Sequence, residues 1–203
     1  MAFLISPQDL VTINRTQLCK KSLKKNLQEL AKALPNAALY FFDESRFGTH
    51  SKLGFRWFEK GTRPRVNVKL GFQNFYVYGA VNPTEGSHIS LFLPKVNTKC
   101  MNIFLAEMST QLAEGHAILV LDGARWHRSK HLQVPANITL LFLPPYSPEL
   151  NPIERLWNYI KRHTIKNHVY ESLDALITRI SNFLCSIPNN TISSICNAEY
   201  LFK

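Results

Sequence analysis

Residues 143–163 read LPPYSPELNPIERLWNYIKRH, four prolines and two acids running into a helical pattern. The preceding ITLLFLPP is a short apolar strand that its prolines halt, because a prolyl ring supplies no ladder N–H. Asn151-Pro152-Ile153-Glu154 then has the form of a helix start, with Asn at the cap, Pro first and Glu in the opening turn. Beyond it Ile153, Leu156, Trp157 and Ile160 make one apolar stripe. Glu154, Asn158 and Lys161 fall at i, i+4 and i+7 on a separate polar stripe, with Arg162 beside it. Asn-x-x-Glu also resembles a capping box, in which Glu154 would only reach back to the backbone. Glu149 sits in the proline-rich turn, where its aim is less fixed, so Glu154 is the better candidate for chemistry.

Working outward, ALYFFDES and HAILVLDG are short apolar runs that end in Asp43 and Asp122, as strands buried on both faces do. NFYVYGAVNP and SHISLFLP read as a hairpin turning through Pro83, Glu85 and Gly86. From Thr98, a plausible N-cap, Met101, Phe104, Leu105, Met108 and Leu112 share one helical face, and Gly115 stops that helix. Helices are also expected over roughly 152–166 and 172–187. Hairpin strands followed by crossover connections imply an α/β fold, a mixed five-stranded sheet with helices on both faces. Residues 15–32 carry Leu18, Leu23, Leu27 and Leu30 among six basic residues, an amphipathic basic helix that Pro35 and Asn36 end.

Lys and Arg number 24 against 14 Asp and Glu, a formal net charge of +10 over 203 residues. Such an excess favours a polyanionic partner, most often nucleic acid. The four cysteines are scattered with no metal-ligand spacing, which reads as reduced thiols. No apolar run reaches the roughly 18 residues that a membrane span requires, and Pro7 cuts short the apolar N-terminus, so a cytoplasmic protein without membrane contact is expected.

Ligands of open α/β sheets bind at the carboxyl ends of the strands, where Asp43 and Asp122 fall. Either Asp alone could simply begin a turn. Two on adjacent strands would repel unless a cation sat between them, which points to a divalent metal with oxygen ligands, most naturally Mg²⁺. A helix packed on the sheet edge after the fifth strand would aim Glu154 at the pair.

LYFFDESRFG, GFRWFEKGTRPRV, AILVLDGARWHRSK and above all LPPYSPELNPIERLWNYIKR resemble DDE transposases of bacterial insertion sequences, in the mariner-related superfamily. The resemblance covers about residues 23–185. It implies an RNase H-like catalytic domain over 37–187, preceded by a basic arm, 1–36, and followed by a tail, 188–203, that remains unassigned. It implies a triad of Asp43, Asp122 and Glu154 holding two Mg²⁺ ions, with Mn²⁺ as a substitute. The implied reactions are cleavage of double-stranded DNA at transposon ends and strand transfer into target DNA, by a homodimer in the bacterial cytoplasm, at the nucleoid. Full-length relatives begin with helix-turn-helix modules, for which the residues ahead of 38 leave no room, so a separate polypeptide carrying them is a further expected partner.

The basic stretch 46–69 looks like the family's insertion between the first two strands, and Arg46, Arg56, Trp57, Lys60, Arg63 and Arg65 are candidates for DNA contact. Asn158, Lys161 and Arg162 join them from the polar stripe of the helix. His127 matches a family histidine after the second Asp and is a candidate for support near the metals or DNA. His127 and His131 have a spacing that zinc can use, but nothing completes such a site. The aromatic residues of 72–78 read as core. Two rival readings are a catalytically silent DNA-binding relic or regulator of an intact transposase, and a general RNase H-like nuclease.

Overall fold

The structure, a computed structural model, describes residues 7–50, 59–61, 71–166 and 168–201, with side chains from residue 17 onward. Helix α1 (Pro7–Ala33) leads into strand β1 (Ala38–Gly48), and the hairpin β2 (Asn74–Val81) and β3 (His88–Leu93) follows. Next come α2 (Thr98–Leu112), β4 (Ala117–Leu121), β5 (Ile138–Phe142), α3 (Ile153–Thr164), α4 (Leu173–Ser186) and α5 (Asn189–Ile195). The sheet order is β3-β2-β1-β4-β5. The β1–β2 and β2–β3 pairs are antiparallel; β1–β4 and β4–β5 are parallel, as crossover connections require.

Side-chain alternation divides the core into two layers. On one face Phe41, Val77, Ile118 and Val120 pack with Leu23 and Leu27 of α1, the apolar stripe of α3, and Leu176, Ile180 and Leu184 of α4. On the other face Phe42, Tyr78, Leu119 and Leu121 pack against Met101, Phe104, Leu105 and Met108 of α2. All five residues of β4 are buried, which is why that segment is apolar without alternation.

Helix α2 is capped one residue earlier than the sequence suggested. The Asn97 carboxamide accepts the Cys100 N–H at 2.9 Å, so Asn97 and not Thr98 satisfies the first turn. The segment that sequence reasoning left unassigned forms α5 and a 3-10 turn at Glu199–Leu201, with Ile192, Cys196, Ala198 and Leu201 buried in the core layer of α3. The Tyr200 hydroxyl donates to the Leu150 carbonyl at 2.7 Å, tying this end of the chain to the turn that precedes α3. Among the described residues no helix is long and apolar enough to cross a membrane.

Candidate active site

Parallel pairing of β1 with β4 sets Phe41 opposite Val120. Two residues further along each strand come Asp43 and Asp122, side by side where the β1–β4 pairing stops; β4 ends at Leu121, but β1 does not end at Asp43 as the apolar run suggested and stays paired with β2 to Gly48. Both line a cavity of about 380 Å³, and Glu154 from the first turn of α3 lines it as well. Arg128, Pro144 and Tyr146 contribute to the same walls.

Whether Glu154 is spent on a capping box has a direct answer. The Asn151 N–H that such a box would occupy donates instead to the Pro148 carbonyl at 2.9 Å. Asn151 is buried, and its side chain accepts the Ile153 N–H at 3.4 Å and donates to the Phe42 carbonyl at 2.9 Å. That second bond clamps the start of α3 onto β1 beside Asp43, leaving Glu154 exposed at the cavity. Glu149 does not line the cavity; its charge acts on Tyr200 instead.

Each aspartate is held by a ring nitrogen. Trp157 Nε1 donates to Asp43 Oδ2 at 3.0 Å from an indole that is 2% exposed. Gly79 stands opposite Asp43 on β2, and a Cβ there would lie 2.5 Å from the Trp157 ring, so a glycine is what allows the indole so close to the sheet. Burial, then the negative charges of Glu154 and Glu44, push the Asp43 carboxyl up to about 8. Asp122 is different: 59% of its side chain is exposed, and the hydrogen bond from His127 holds its carboxyl below the usual range despite partial burial.

His127 sits between two carboxylates. Its Nδ1 donates to Asp122 Oδ1 at 2.8 Å and its Nε2 to Glu44 Oε1 at 3.0 Å, while Trp126 Nε1 donates to the same Glu44 oxygen at 3.0 Å. Burial alone would lower the imidazole, but the bonds to Asp122 and Glu44 outweigh it and raise it to about 9. With only 1% of its side chain exposed and both ring nitrogens engaged, His127, expected to give support near the metals or DNA, faces two acids.

The donor set suits a hard cation: carboxylate oxygens, with burial and the charge of Glu154 disfavouring the ionised form of Asp43 while no cation is present. Among the described residues no three His, Cys, Asp or Glu side chains converge closely enough to make a ready-formed metal cage. The three acids line one cavity, and two of them, Asp122 and Glu154, are exposed. The zinc spacing of His127 and His131 likewise corresponds to no cluster.

The expected DNA contacts separate into groups. Arg46 and Lys161 line a second cavity of about 310 Å³ together with His50 and Phe72, and Lys161 Nζ stands 5.4 Å from the centre of the Phe47 ring. Asn158 and Arg162 are exposed on α3, and Lys60 is exposed in a turn. Arg56, Trp57, Arg63 and Arg65 lie outside the described residues. Phe75 and Tyr78 are core as expected, but Phe72 is 89% exposed, so that part of the aromatic run is surface. Sequence reasoning missed Glu44, Trp126 and Arg128, and it took Trp157 for packing alone.

A family model described as DDE superfamily endonuclease matches residues 38–177. An uncharacterized protein, y4pE/y4sA, of Sinorhizobium fredii is 43% identical over 104 residues, 51% of this chain and 77% of that protein. The Tc3 transposase of Caenorhabditis elegans is 28% identical over 167 residues, 76% of this chain. The chain spans 51% of that transposase's length. Among solved structures, a pre-cleavage Mos1 transpososome shares the fold with a TM-score of 0.66 at 13% identity, over 93% of this chain and 61% of that one. A mariner Mos1 paired end complex with Mg gives 0.64 at 12% identity, over 100% and 64%. With the family model spanning most of the sequence and the RNase H-like fold shared, the chain belongs to the DDE superfamily endonucleases.

Proposed function

We propose that this chain is a transposase catalytic core that cleaves DNA at transposon ends and joins the freed ends to target DNA. The observation that carries the reading is the shared cavity where the β1–β4 pairing stops, lined by Asp43 from within β1, Asp122 just past β4 and Glu154 from α3. These three acids are the proposed catalytic and metal-holding residues. Mg²⁺, or Mn²⁺ in its place, is the proposed cofactor; when bound it would activate water or a DNA 3′-hydroxyl and stabilise the departing oxygen. Asp43 would have to lose its proton to bind a cation, and Trp157 keeps Oδ2 of that carboxyl fixed meanwhile. Asp122, held through Oδ1 by His127 and the Ala124 N–H, would offer its other oxygen to the same ion, and the exposed Glu154 would supply the third carboxylate.

Arg128 brings a cation to the cavity wall, and Arg46 and Lys161 bring two more to the neighbouring cavity, an arrangement suited to a phosphate backbone. Lys60, Asn158 and Arg162 are exposed where a duplex could reach them, and Arg56, Trp57, Arg63 and Arg65 remain candidates from the sequence. A homodimer on DNA, a separate helix-turn-helix polypeptide and a place at the bacterial nucleoid rest on the family resemblance alone.

The test is nicking of supercoiled plasmid with Mg²⁺ or Mn²⁺ by the wild type and by Asp43→Asn, Asp122→Asn and Glu154→Gln. Metal-dependent nicking by the wild type, lost in each variant, is the expected outcome. Salt-sensitive DNA binding without nicking would select the silent relic, and preferential cleavage of an RNA–DNA hybrid would select a general nuclease.

A further inference from the structure

Glu44 has no part in the acid triad, yet it is one of the least exposed carboxylates of the fold, with 6% of its side chain accessible. A buried carboxylate is costly unless donors surround it, so its retention needs a reason in its partners. Strand alternation sends Glu44 to the sheet face opposite Asp43, and its partner on β2 is Tyr78, in the α2 layer. There a single oxygen, Oε1, accepts from both Trp126 Nε1 and His127 Nε2, each at 3.0 Å.

Those donors belong to the 3-10 turn Arg125–Arg128, which follows Asp122 directly. On its other side His127 donates to Asp122 Oδ1 at 2.8 Å, and the Ala124 N–H reaches the same oxygen at 3.1 Å. Both bonds fall on Oδ1, so Oδ2 is the oxygen available to a cation in the cavity. A buried acid thus grips a buried imidazole, and the imidazole fixes the rotamer of an exposed carboxylate that would otherwise swing freely in solvent.

We infer that Glu44 is a positioning residue for Asp122, acting through His127. The inference rests on the proposed metal-holding role of Asp122. Outer hydrogen-bond partners of ligand groups commonly govern metal affinity about as strongly as 10- to 100-fold. A purely structural Glu44 would change stability and leave metal affinity alone.

The experiment is calorimetric titration of Mn²⁺, without DNA, into the wild type, Glu44→Leu, Glu44→Gln, His127→Ala and the Glu44→Leu/His127→Ala double variant, each below its melting temperature. Leu removes the acceptor, whereas the Gln carboxamide oxygen keeps it. Glu44→Leu is expected to weaken Mn²⁺ binding by about tenfold or more, and Glu44→Gln by less than about threefold. In the His127→Ala background Glu44→Leu is expected to add less than about twofold, since two residues of one relay couple instead of adding. If the Leu variant does not fold, Glu44→Asp replaces it: a carboxylate one methylene shorter cannot reach both donors and should lose as much. Wild-type affinity in a folded Leu or Asp variant, or effects that multiply in the double variant, would overturn the inference while leaving the metal site standing. Absence of Mn²⁺ binding by the wild type would overturn the metal-site reading itself, and the inference with it.

Discussion

Replacing Asp43 by Asn removes a carboxyl that the metal-free fold disfavours in its charged form. Burial and the neighbouring charges of Glu154 and Glu44 raise that carboxyl from 3.8 to about 8. At pH 7 the unfolded chain therefore ionises Asp43, whereas the folded chain keeps it largely protonated. The folded state binds more protons than the unfolded state from about pH 4 to about pH 8, so stability falls with rising pH across that window. At about 1.36 kcal/mol per pKa unit, the interval from 3.8 to 7 corresponds to up to about 4 kcal/mol against the folded state at pH 7. Asn has no proton to lose, and its carboxamide oxygen can still accept from Trp157 Nε1. Asp43→Asn is thus expected to stabilise the metal-free protein, with a rise in Tm of roughly 10 °C at pH 7 for a chain of this size. The assay is thermal unfolding followed by circular dichroism in EDTA from pH 4 to pH 8.5. The gain should shrink toward zero near pH 4, where both states hold the proton. His127, raised to about 9, adds a further loss of stability between about pH 6.5 and 9, but it is common to both proteins and drops out of the comparison. An unchanged or lower Tm at pH 7, or a gain independent of pH, would refute the argument that burial and crowding of acids set the state of Asp43.

Mn²⁺ affinity should climb about tenfold between pH 6 and pH 7 and level off above about pH 8, with about one proton released per ion, as calorimetry in buffers of different ionisation enthalpy would read. Glu154→Gln should weaken Mn²⁺ binding by about tenfold or more, whereas Glu149→Gln should change it by less than about threefold. Gly79→Ala puts a methyl group 2.5 Å from the Trp157 ring. It should cost about 1–3 kcal/mol in urea unfolding, because the indole cannot stay beside Asp43 without a clash.

How much of this was legible in sequence varies with the physics involved. The strands were readable because β4 is apolar throughout and ends just before Asp122, marks that burial on two faces leaves in the residues themselves, whereas the end of β1 was not: it runs five residues past Asp43, held by its pairing with β2. The face of α3 was readable from the spacing of Ile153, Leu156, Trp157 and Ile160. Whether Glu154 capped its own helix was not, since the answer lies in the Pro148 carbonyl taking the Asn151 N–H. Periodicity placed Trp157 in the core but says nothing of where an indole N–H points. The available signal was Gly79, a glycine inside a strand where a bulky group approaches the backbone. Glu44 could also have been found: an acid one residue past Asp43 must face the opposite, buried layer, and the Trp126-His127 pair supplies the donors it needs. The cap of α2 at Asn97 was missed by one residue, as helix ends commonly are.

Asp43, Asp122 and Glu154 are proposed to form a divalent-metal site. The measurement that tests it most directly is calorimetric titration of Mn²⁺ into the wild type and into Asp122→Asn, without DNA, so that metal binding is read apart from recognition of any DNA end. Saturable binding by the wild type, lost or weakened by about tenfold or more in the variant, is the expected result. Equal binding by both proteins, or none by either, would contradict it.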